Sequence, residues 1–252
     1  MKETQAYIER IKRVNRGYQR LDLAVDKSLA SMLAGQAMLV RAIDKDYDVE
    51  RWDPYLRELW FPVETPASNI IVVERPARRH YSPGQLLSII GPIGKAFRFR
   101  QKLRNILLIA YNTTPSALLL MLPPLLAKGV GITLVLSGSA RRYDTNHLPE
   151  EVEVIRADDD LTWSDMVMTL GWADQVFVLV GPGNELTYFG DIMAVLRDRH
   201  HDIPANYLFG IIRRDLPCGV GACGACSLNV GRGQKRQCID GPAFDLTELR
   251  LN

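Results

Sequence analysis

Cysteine is scarce in this sequence, and its distribution is uneven. Only four cysteines occur, and all of them lie within the last 35 residues. Disulfide frameworks spread their cysteines so that distant segments are connected, so this clustering predicts a metal or cluster site in a reducing compartment. We therefore expect a cytoplasmic protein.

Long apolar runs are also lacking. The most apolar stretch, residues 116–127, is too short to cross a bilayer and contains two adjacent prolines. The first ten residues are mostly polar or charged, and no apolar core follows them. The sequence therefore predicts neither a transmembrane segment nor a secretory signal.

The sequence also lacks an excess of charge of either sign. The 31 lysines and arginines are balanced by 29 acidic residues, and there is no basic run, so no nucleic-acid partner is expected. The histidines have no metal-ligand spacing and are predicted to be surface residues: His80, His147, His200 and His201. The tryptophans are predicted to be core or interface residues: Trp52, Trp60, Trp163 and Trp172.

The first 100 residues have the pattern of a small antiparallel β-barrel. Short runs rich in β-branched and aromatic residues are separated by turn signals, which is typical of such barrels. The predicted strands cover residues 6–14, 18–25, 36–42, 69–74 and 86–90, with a turn at 15–17.

From about residue 102, predicted strands alternate with predicted helices. The strands cover residues 105–110, 132–136, 151–155, 175–180 and 206–212, and the helices cover 115–128, 162–170 and 184–199. Such alternation predicts a doubly wound domain with a parallel sheet between two helical layers. The domain boundaries that we expect are 1–100, 101–214 and 215–252.

The cysteines follow the spacing C-x4-C-x2-C-x11-C. They are Cys218, Cys223, Cys226 and Cys238. This spacing is typical of plant-type 2Fe–2S sites, in which each iron takes two thiolates. Gly219, Gly221 and Gly224 suit a tight loop around a cluster, because glycine adopts positive φ and lets the backbone approach closely. Zinc is the alternative ligand, although zinc sites usually use two C-x2-C pairs, and free thiols are a further one.

The C-terminal segment CGVGACGACSLNVGRGQKRQCIDGPAFD resembles the iron–sulfur segment of the electron-transfer subunit of class 1B dihydroorotate dehydrogenase. Three shorter runs strengthen the likeness: AGQ at 34–36, GPIGKAF at 91–97 and GP at 181–182. The resemblance implies a ferredoxin-reductase-like chain. Its parts are a flavin-binding barrel, a doubly wound nicotinamide domain and a C-terminal 2Fe–2S cluster segment.

The resemblance also implies a function. In that family, electrons pass from NADH to FAD, through the cluster, to FMN in a catalytic flavoprotein subunit that oxidises dihydroorotate in pyrimidine biosynthesis. A hetero-oligomer is therefore expected, with the tail around Phe244 as a candidate surface for the partner. Since no side chain need act as an acid or base, we predict an oxidoreductase subunit rather than a self-sufficient enzyme.

The sequence departs from the family at the FAD motif R-P-x-S. Glu58 stands at the arginine position and Phe61 at the serine position. An acidic side chain repels a pyrophosphate, so FAD is implied by the resemblance and not by these residues. Arg75, Arg78 and Arg79 offer other phosphate contacts, but we expect a solvated charged loop.

A second departure concerns the nicotinamide turn. Dinucleotide-binding turns are rich in glycine, because the backbone approaches the pyrophosphate at a helix N-terminus. The corresponding residues 111–115, YNTTP, contain no glycine. We predict a capped helix without bound NAD. Arg213 and Arg214 are expected to be a solvated pair, or to tune the cluster or face an acidic partner.

Three functional hypotheses follow. The first is a 2Fe–2S electron-transfer subunit of a dihydroorotate-dehydrogenase-like complex. The second is a structural or relay paralogue that keeps the cluster but has lost both nucleotide sites. The third is an interaction protein held together by zinc.

Overall fold

The computed structural model describes residues 2–43, 57–199 and 203–251. The N-terminal part is a single antiparallel sheet in the order β4-β3-β7-β1-β2-β6-β5. Its strands are β1 (Lys2–Arg13), β2 (Tyr18–Ala24), β3 (Ala37–Ile43), β4 (Glu58–Trp60), β5 (Pro62–Ala67), β6 (Ile70–Pro76) and β7 (Leu86–Ile93), with the short helix α1 (Lys27–Ala30) after β2.

This sheet curls around its own apolar core. Alternate residues of β2 are buried, and Leu21 and Leu23 pack with Ile8, Ile71 and Leu87 from the neighbouring strands. The β1–β2 hairpin closes at the predicted turn, where Asn15 Oδ1 accepts hydrogen bonds from two backbone amides. In the described ranges β4 and β5 stay unpaired with each other, so the predicted barrel is a half-barrel.

The second sheet is parallel through five strands, in the order β10-β9-β8-β11-β12. The strands are β8 (Asn105–Tyr111), β9 (Gly131–Ser137), β10 (Val152–Arg156), β11 (Gln175–Val180) and β12 (Leu208–Ile211). The helices are α2 (Ser116–Leu119), α3 (Leu122–Leu126), α4 (Met166–Trp172) and α5 (Glu185–Arg199).

Helices cover both faces of this sheet. Along β8, Ile106 and Leu108 pack with residues of α2 and α3, whereas Leu107 and Ile109 pack with residues of α4 and α5. This confirms the predicted doubly wound arrangement. The predicted helix 115–128 is divided into α2 and α3, because Pro123 and Pro124 cannot donate to carbonyls of the preceding turn.

The C-terminal residues extend the second sheet. They form the hairpin β13 (Ser227–Val230) and β14 (Gly233–Arg236), the short helix α6 (Gln237–Asp240) and β15 (Ala243–Asp245). Strand β15 pairs antiparallel with β12, so it is the sixth strand of the sheet. Phe244 is only 4% exposed and packs in the sheet's core. The prediction that Phe244 lies on a partner surface is therefore wrong.

A buried carboxylate joins the two sheets. Glu74 of β6 has a side chain that is 1% exposed, and Arg20 of β2 donates to it at 3.0 Å. From the segments that flank the second sheet, Ser116 Oγ of α2 donates to it at 2.6 Å, and Tyr143 Oη, between β9 and β10, donates to it at 2.7 Å. His147 Nε2 lies 3.0 Å from Tyr143 Oη, so His147 is not the surface residue that we predicted.

The other aromatic predictions have mixed outcomes. His80 is exposed, and Trp60 and Trp163 are buried, as predicted, whereas Trp172 is 39% exposed. Trp52, His200 and His201 lie outside the described residues. No helix within the described ranges has the length and apolarity that a bilayer crossing requires.

Candidate metal centre

The four cysteines meet in two pairs. Cys218, Cys223 and Cys226 lie in the loop between β12 and β13, and Cys238 lies in α6. The Sγ atoms of Cys226 and Cys238 are 3.3 Å apart, and both residues are buried. The Cys223 side chain lies close enough to the Cys218 thiol to help lower its pKa, and Cys223 is exposed. One pair is thus buried, whereas the other is partly exposed, with Cys223 at the surface and Cys218 half-buried.

The cysteine loop depends on glycine, as the sequence predicts. Gly219, Gly221 and Gly224 have φ values of 67°, 75° and 71°, which side chains rarely adopt. A Cβ at Gly221 would lie 2.7 Å from a carbon of Ile239, and a Cβ at Gly219 would lie 2.9 Å from Leu39. The loop is therefore pressed against α6 on one side and against the half-barrel on the other.

Backbone amides of the loop point at the sulfurs. The amides of Cys223 and Val220 donate to the Cys218 thiol and lower its pKa to about 6. Burial, with Cys226 close by, raises the pKa of Cys238 to about 11, although the Gly221 amide donates to that sulfur. Amides aimed at sulfur stabilise thiolate ligands and the added charge of a reduced cluster.

The inner pair lies in an apolar shell, anchored to the half-barrel. Leu39, Ile93 and Leu216 pack against Cys226 and Cys238. The residues after β7 hold the fourth cysteine: the Gly94 amide donates to the Cys238 carbonyl at 3.2 Å, and the Lys95 amide donates to the Gly241 carbonyl at 2.6 Å. The run at 91–97 was noted in the sequence, but its contact with the cysteines is non-local and was missed.

Arg236 is another contributor that the sequence analysis missed. Its guanidinium donates to the Gly221 carbonyl, and its backbone amide donates to Asp240 Oδ2 at 2.9 Å. Lys95 Nζ lies 3.3 Å from the other oxygen of Asp240. These contacts fix the hairpin against the cysteine loop.

These residues fit a 2Fe–2S cluster. Such a cluster needs two thiolates on each iron, and the structure offers two thiol pairs, inward amides and an apolar inner wall. Among the described residues, no group of three or more His, Cys, Asp and Glu side chains is arranged to hold a single metal ion.

Replacing Gly221 with alanine is expected to lower the iron content of the purified protein. The new Cβ would collide with Ile239 and distort the loop. Gly233→Ala is the matched control, since Gly233 also has positive φ, at 95°, but no atom lies within 4 Å of the position that its methyl group would take. Equal iron-to-protein ratios in the two variants would contradict the role of close packing.

The residues at the FAD motif do not form the pyrophosphate site that the resemblance implies. The Glu58 carboxylate is bound by Arg75 and by Arg79, the latter at 3.3 Å. Arg75 also stacks over Trp60, 4.5 Å from the ring centroid. The expectation of a solvated loop is therefore wrong for Arg75, because its charge is neutralised by the protein's own carboxylate.

Arg213 and Arg214, for which one prediction was a solvated pair, both contact other residues of the protein at the end of β12. Arg213 Nη2 donates to Thr113 Oγ1 at 2.7 Å and to the Val180 carbonyl at 3.0 Å. Arg214 Nε lies 3.8 Å from the buried carboxylate of Glu185. Both arginines therefore form hydrogen bonds or ion pairs at the carboxyl edge of the parallel sheet, where residues 111–115 also lie.

The chain was compared with known proteins. Residues 214–250 match the family described as the iron-sulfur cluster binding domain of dihydroorotate dehydrogenase B. No curated protein matches the sequence. The fold is similar to the NADH-dependent reduced ferredoxin-NADP oxidoreductase, a structure described in terms of flavin-based electron bifurcation. The TM-score is 0.72 at 18% identity, over 97% of this chain and 89% of that one.

Two further structures share the fold. Phthalate dioxygenase reductase matches with a TM-score of 0.56 at 12% identity, over 82% of this chain and 66% of that one. The flavohemoglobin of Malassezia yamatoensis matches with a TM-score of 0.61 at 13% identity, over 84% of this chain and 60% of that one. Residues 214–250 thus match an iron–sulfur cluster binding domain, and the chain has a ferredoxin-reductase-like fold.

Proposed function

We propose that Cys218, Cys223, Cys226 and Cys238 hold a 2Fe–2S cluster, and that the chain relays single electrons to a catalytic flavoprotein of a dihydroorotate-dehydrogenase-like complex. The observation that carries the proposal is the pairing of the thiols. One pair, Cys226 and Cys238, is buried against the half-barrel, whereas Cys223 of the other pair is exposed. This arrangement gives the site a sealed side and an open side.

Different residues around the thiols exclude water and stabilise negative charge. A bound cluster accepts and releases one electron at a time. Leu39, Ile93 and Leu216 exclude water from the inner side. The amides of Val220 and Cys223 stabilise negative charge on Cys218. No proton has to be moved, so the chain needs no acid or base at this site.

The open side of the loop supports a docking role. Val220 is 52% exposed, and Ala222 and Ala225 are exposed beside Cys223. Small and apolar side chains let a partner surface approach closely, and electron transfer requires such an approach. We propose that the catalytic flavoprotein binds here, in a hetero-oligomer within the cytoplasm.

The test is anaerobic purification followed by iron, sulfide and released-flavin assays on one sample. We expect two irons and two sulfides per chain, and a paramagnetic signal from one unpaired electron after reduction. Stoichiometric zinc without iron would overturn the proposal. The reduced protein should then be mixed with the dihydroorotate dehydrogenase catalytic subunit of the same organism, and reoxidation of the cluster should follow in a stopped-flow trace.

A second candidate is a relay paralogue that keeps the cluster without binding FAD. It is favoured by the ion pairs of Glu58 with Arg75 and Arg79, which use the cations that a flavin phosphate would need. The released-flavin assay separates the candidates. One FAD per chain supports a complete reductase subunit, whereas iron without flavin supports the relay.

A further inference from the structure

The crevice of interest lies at the carboxyl ends of β8 and β11. The chain runs from β8 to β9 on one side and later returns to β11 on the other, so this is the point where the strand order reverses. Open α/β sheets bind dinucleotides at such points, with the pyrophosphate at the N-terminus of the helix that follows the first strand. In this chain that helix is α2, which has only four residues and therefore a weak dipole.

The loops around this crevice are bonded directly to one another. The Gly181 amide donates to the Tyr111 carbonyl at 2.9 Å, and the Asn112 amide donates to the Ser137 carbonyl at 3.2 Å. The Asn112 side chain accepts a hydrogen bond from the Ser139 amide at 3.1 Å. A Cβ at Gly181 would lie 2.9 Å from the Asn112 carbonyl oxygen. The two backbone bonds continue the β8–β11 and β8–β9 ladders by one residue, and the Asn112 contacts hold the loop after β8 against the loops after β9 and β11.

Arg213 crosses the same crevice from the end of β12. Its guanidinium binds the Thr113 hydroxyl and the Val180 carbonyl, so it bridges the loop after β8 to the last residue of β11. Burial lowers the pKa of Arg213 to about 10, and Glu185 opposes this shift. The guanidinium is therefore still charged at neutral pH. Its Nη2 is hydrogen-bonded within the protein, whereas its Nε is buried without a hydrogen-bond partner among the described residues.

The protein also places its own anion at the start of α2. The Glu74 carboxylate accepts the hydroxyl of Ser116, the first residue of α2, at 2.6 Å. Its side chain is 1% exposed, so its charge is poorly screened by water. A dinucleotide pyrophosphate at this helix end would have to displace a buried carboxylate that Arg20 and Ser116 already bind.

We infer that the switch-point crevice is closed by the chain's own Arg213, Asn112 and Glu74, and that nicotinamide nucleotides do not bind there. This inference rests on the proposed electron-transfer function. The electron donor is then a reduced iron–sulfur carrier protein and not a nucleotide. The carrier loses one electron and the cluster gains it, without any bond change or proton transfer.

The experiment measures NADH binding and cluster reduction on the same holoprotein. NADH and NADPH are titrated by calorimetry to several times 1 mM, because substrate KM values of enzymes usually lie between about 1 μM and 1 mM. Bleaching of the cluster is then followed anaerobically with NADH, and in parallel with chemically reduced ferredoxin. An NADH-dependent ferredoxin reductase is carried through both assays as the positive control.

We expect no saturable nucleotide binding, no bleaching by NADH, and rapid bleaching by reduced ferredoxin. Saturable binding of NADH to the wild-type protein would overturn the inference, and its loss in Arg213→Gln would place the nucleotide in this crevice. Because binding is measured directly, this result is independent of iron content. Missing iron would count against the proposed function and leave the test of the crevice intact.

Discussion

Cys226→Ser is expected to abolish the iron–sulfur cluster, with the iron content falling from two per chain to nearly zero. Cys226 is 3% exposed, and its Sγ lies 3.3 Å from that of Cys238 in an apolar shell. A serine hydroxyl is a poor iron ligand, and water cannot reach this inner position to replace the lost thiolate. Iron and sulfide assays with the visible spectrum provide the measurement.

Val220→Ala is the matched control for this change. Val220 lies in the same loop, but its side chain is 52% exposed and lies outside the apolar shell of the buried pair. We expect this variant to keep both irons. A Cys226→Ser protein with a full complement of iron and an unchanged spectrum would contradict the ligand assignment.

The two thiol pairs also predict different responses to added thiol. Cys223 is exposed, so a small exogenous thiol can occupy its position in Cys223→Ala and restore cluster assembly. The same reagent is expected to fail with Cys226→Ala, because that position is sealed by Leu39, Ile93 and Leu216. Equal rescue of both variants would argue against the sealed inner side.

Glu74→Gln is expected to have the largest effect on stability, lowering the free energy of unfolding by about 3 kcal/mol. The substitution keeps the size of the side chain but removes the charge that neutralises Arg20, whose side chain is 16% exposed. Without the carboxylate, the Arg20 guanidinium no longer has a charge-assisted hydrogen bond. The free-energy cost of removing its charge from water is then largely uncompensated in the folded protein. Chemical unfolding followed by tryptophan fluorescence measures the change.

Glu64→Gln is the control for this prediction. Glu64 also faces Arg20, at 3.9 Å, but its side chain is 51% exposed. Exposed ion pairs contribute about 0–1 kcal/mol, so this variant should unfold nearly like the wild-type protein. If both variants lost the same stability, the burial of Glu74 would not be the cause.

The cluster-binding segment could be predicted from the sequence because its arrangement is local. Cys218, Cys223 and Cys226 lie within nine residues, and the glycines between them have the positive φ values that the spacing requires. The family match over 214–250 confirms the segment, while the assignment of four cysteine ligands stays a prediction. The fold class followed in the same way from the order of strands and helices, and it is confirmed.

The contacts between distant segments could not be predicted. Glu74 lies within a β-branched strand, and nothing in its neighbours indicates that Ser116 and Tyr143 reach it across the boundary between the sheets. Arg213 looked like a surface residue because it stands beside Arg214 and Asp215 in a polar run. Strand β15 was missed because three residues give too little periodicity to recognise.

The position of β15 has a consequence for biosynthesis. Strand β12 ends at Ile211, and among the residues that the structure describes its outer edge is paired only by residues 243–245. During translation, the unpaired backbone of β12 is exposed until this later segment has left the ribosome and folded. The unpaired backbone groups of an exposed strand edge can pair with another chain. If residues 243–245 are translated slowly, or if the cysteine loop before them does not fold, the nascent protein would therefore be prone to aggregation.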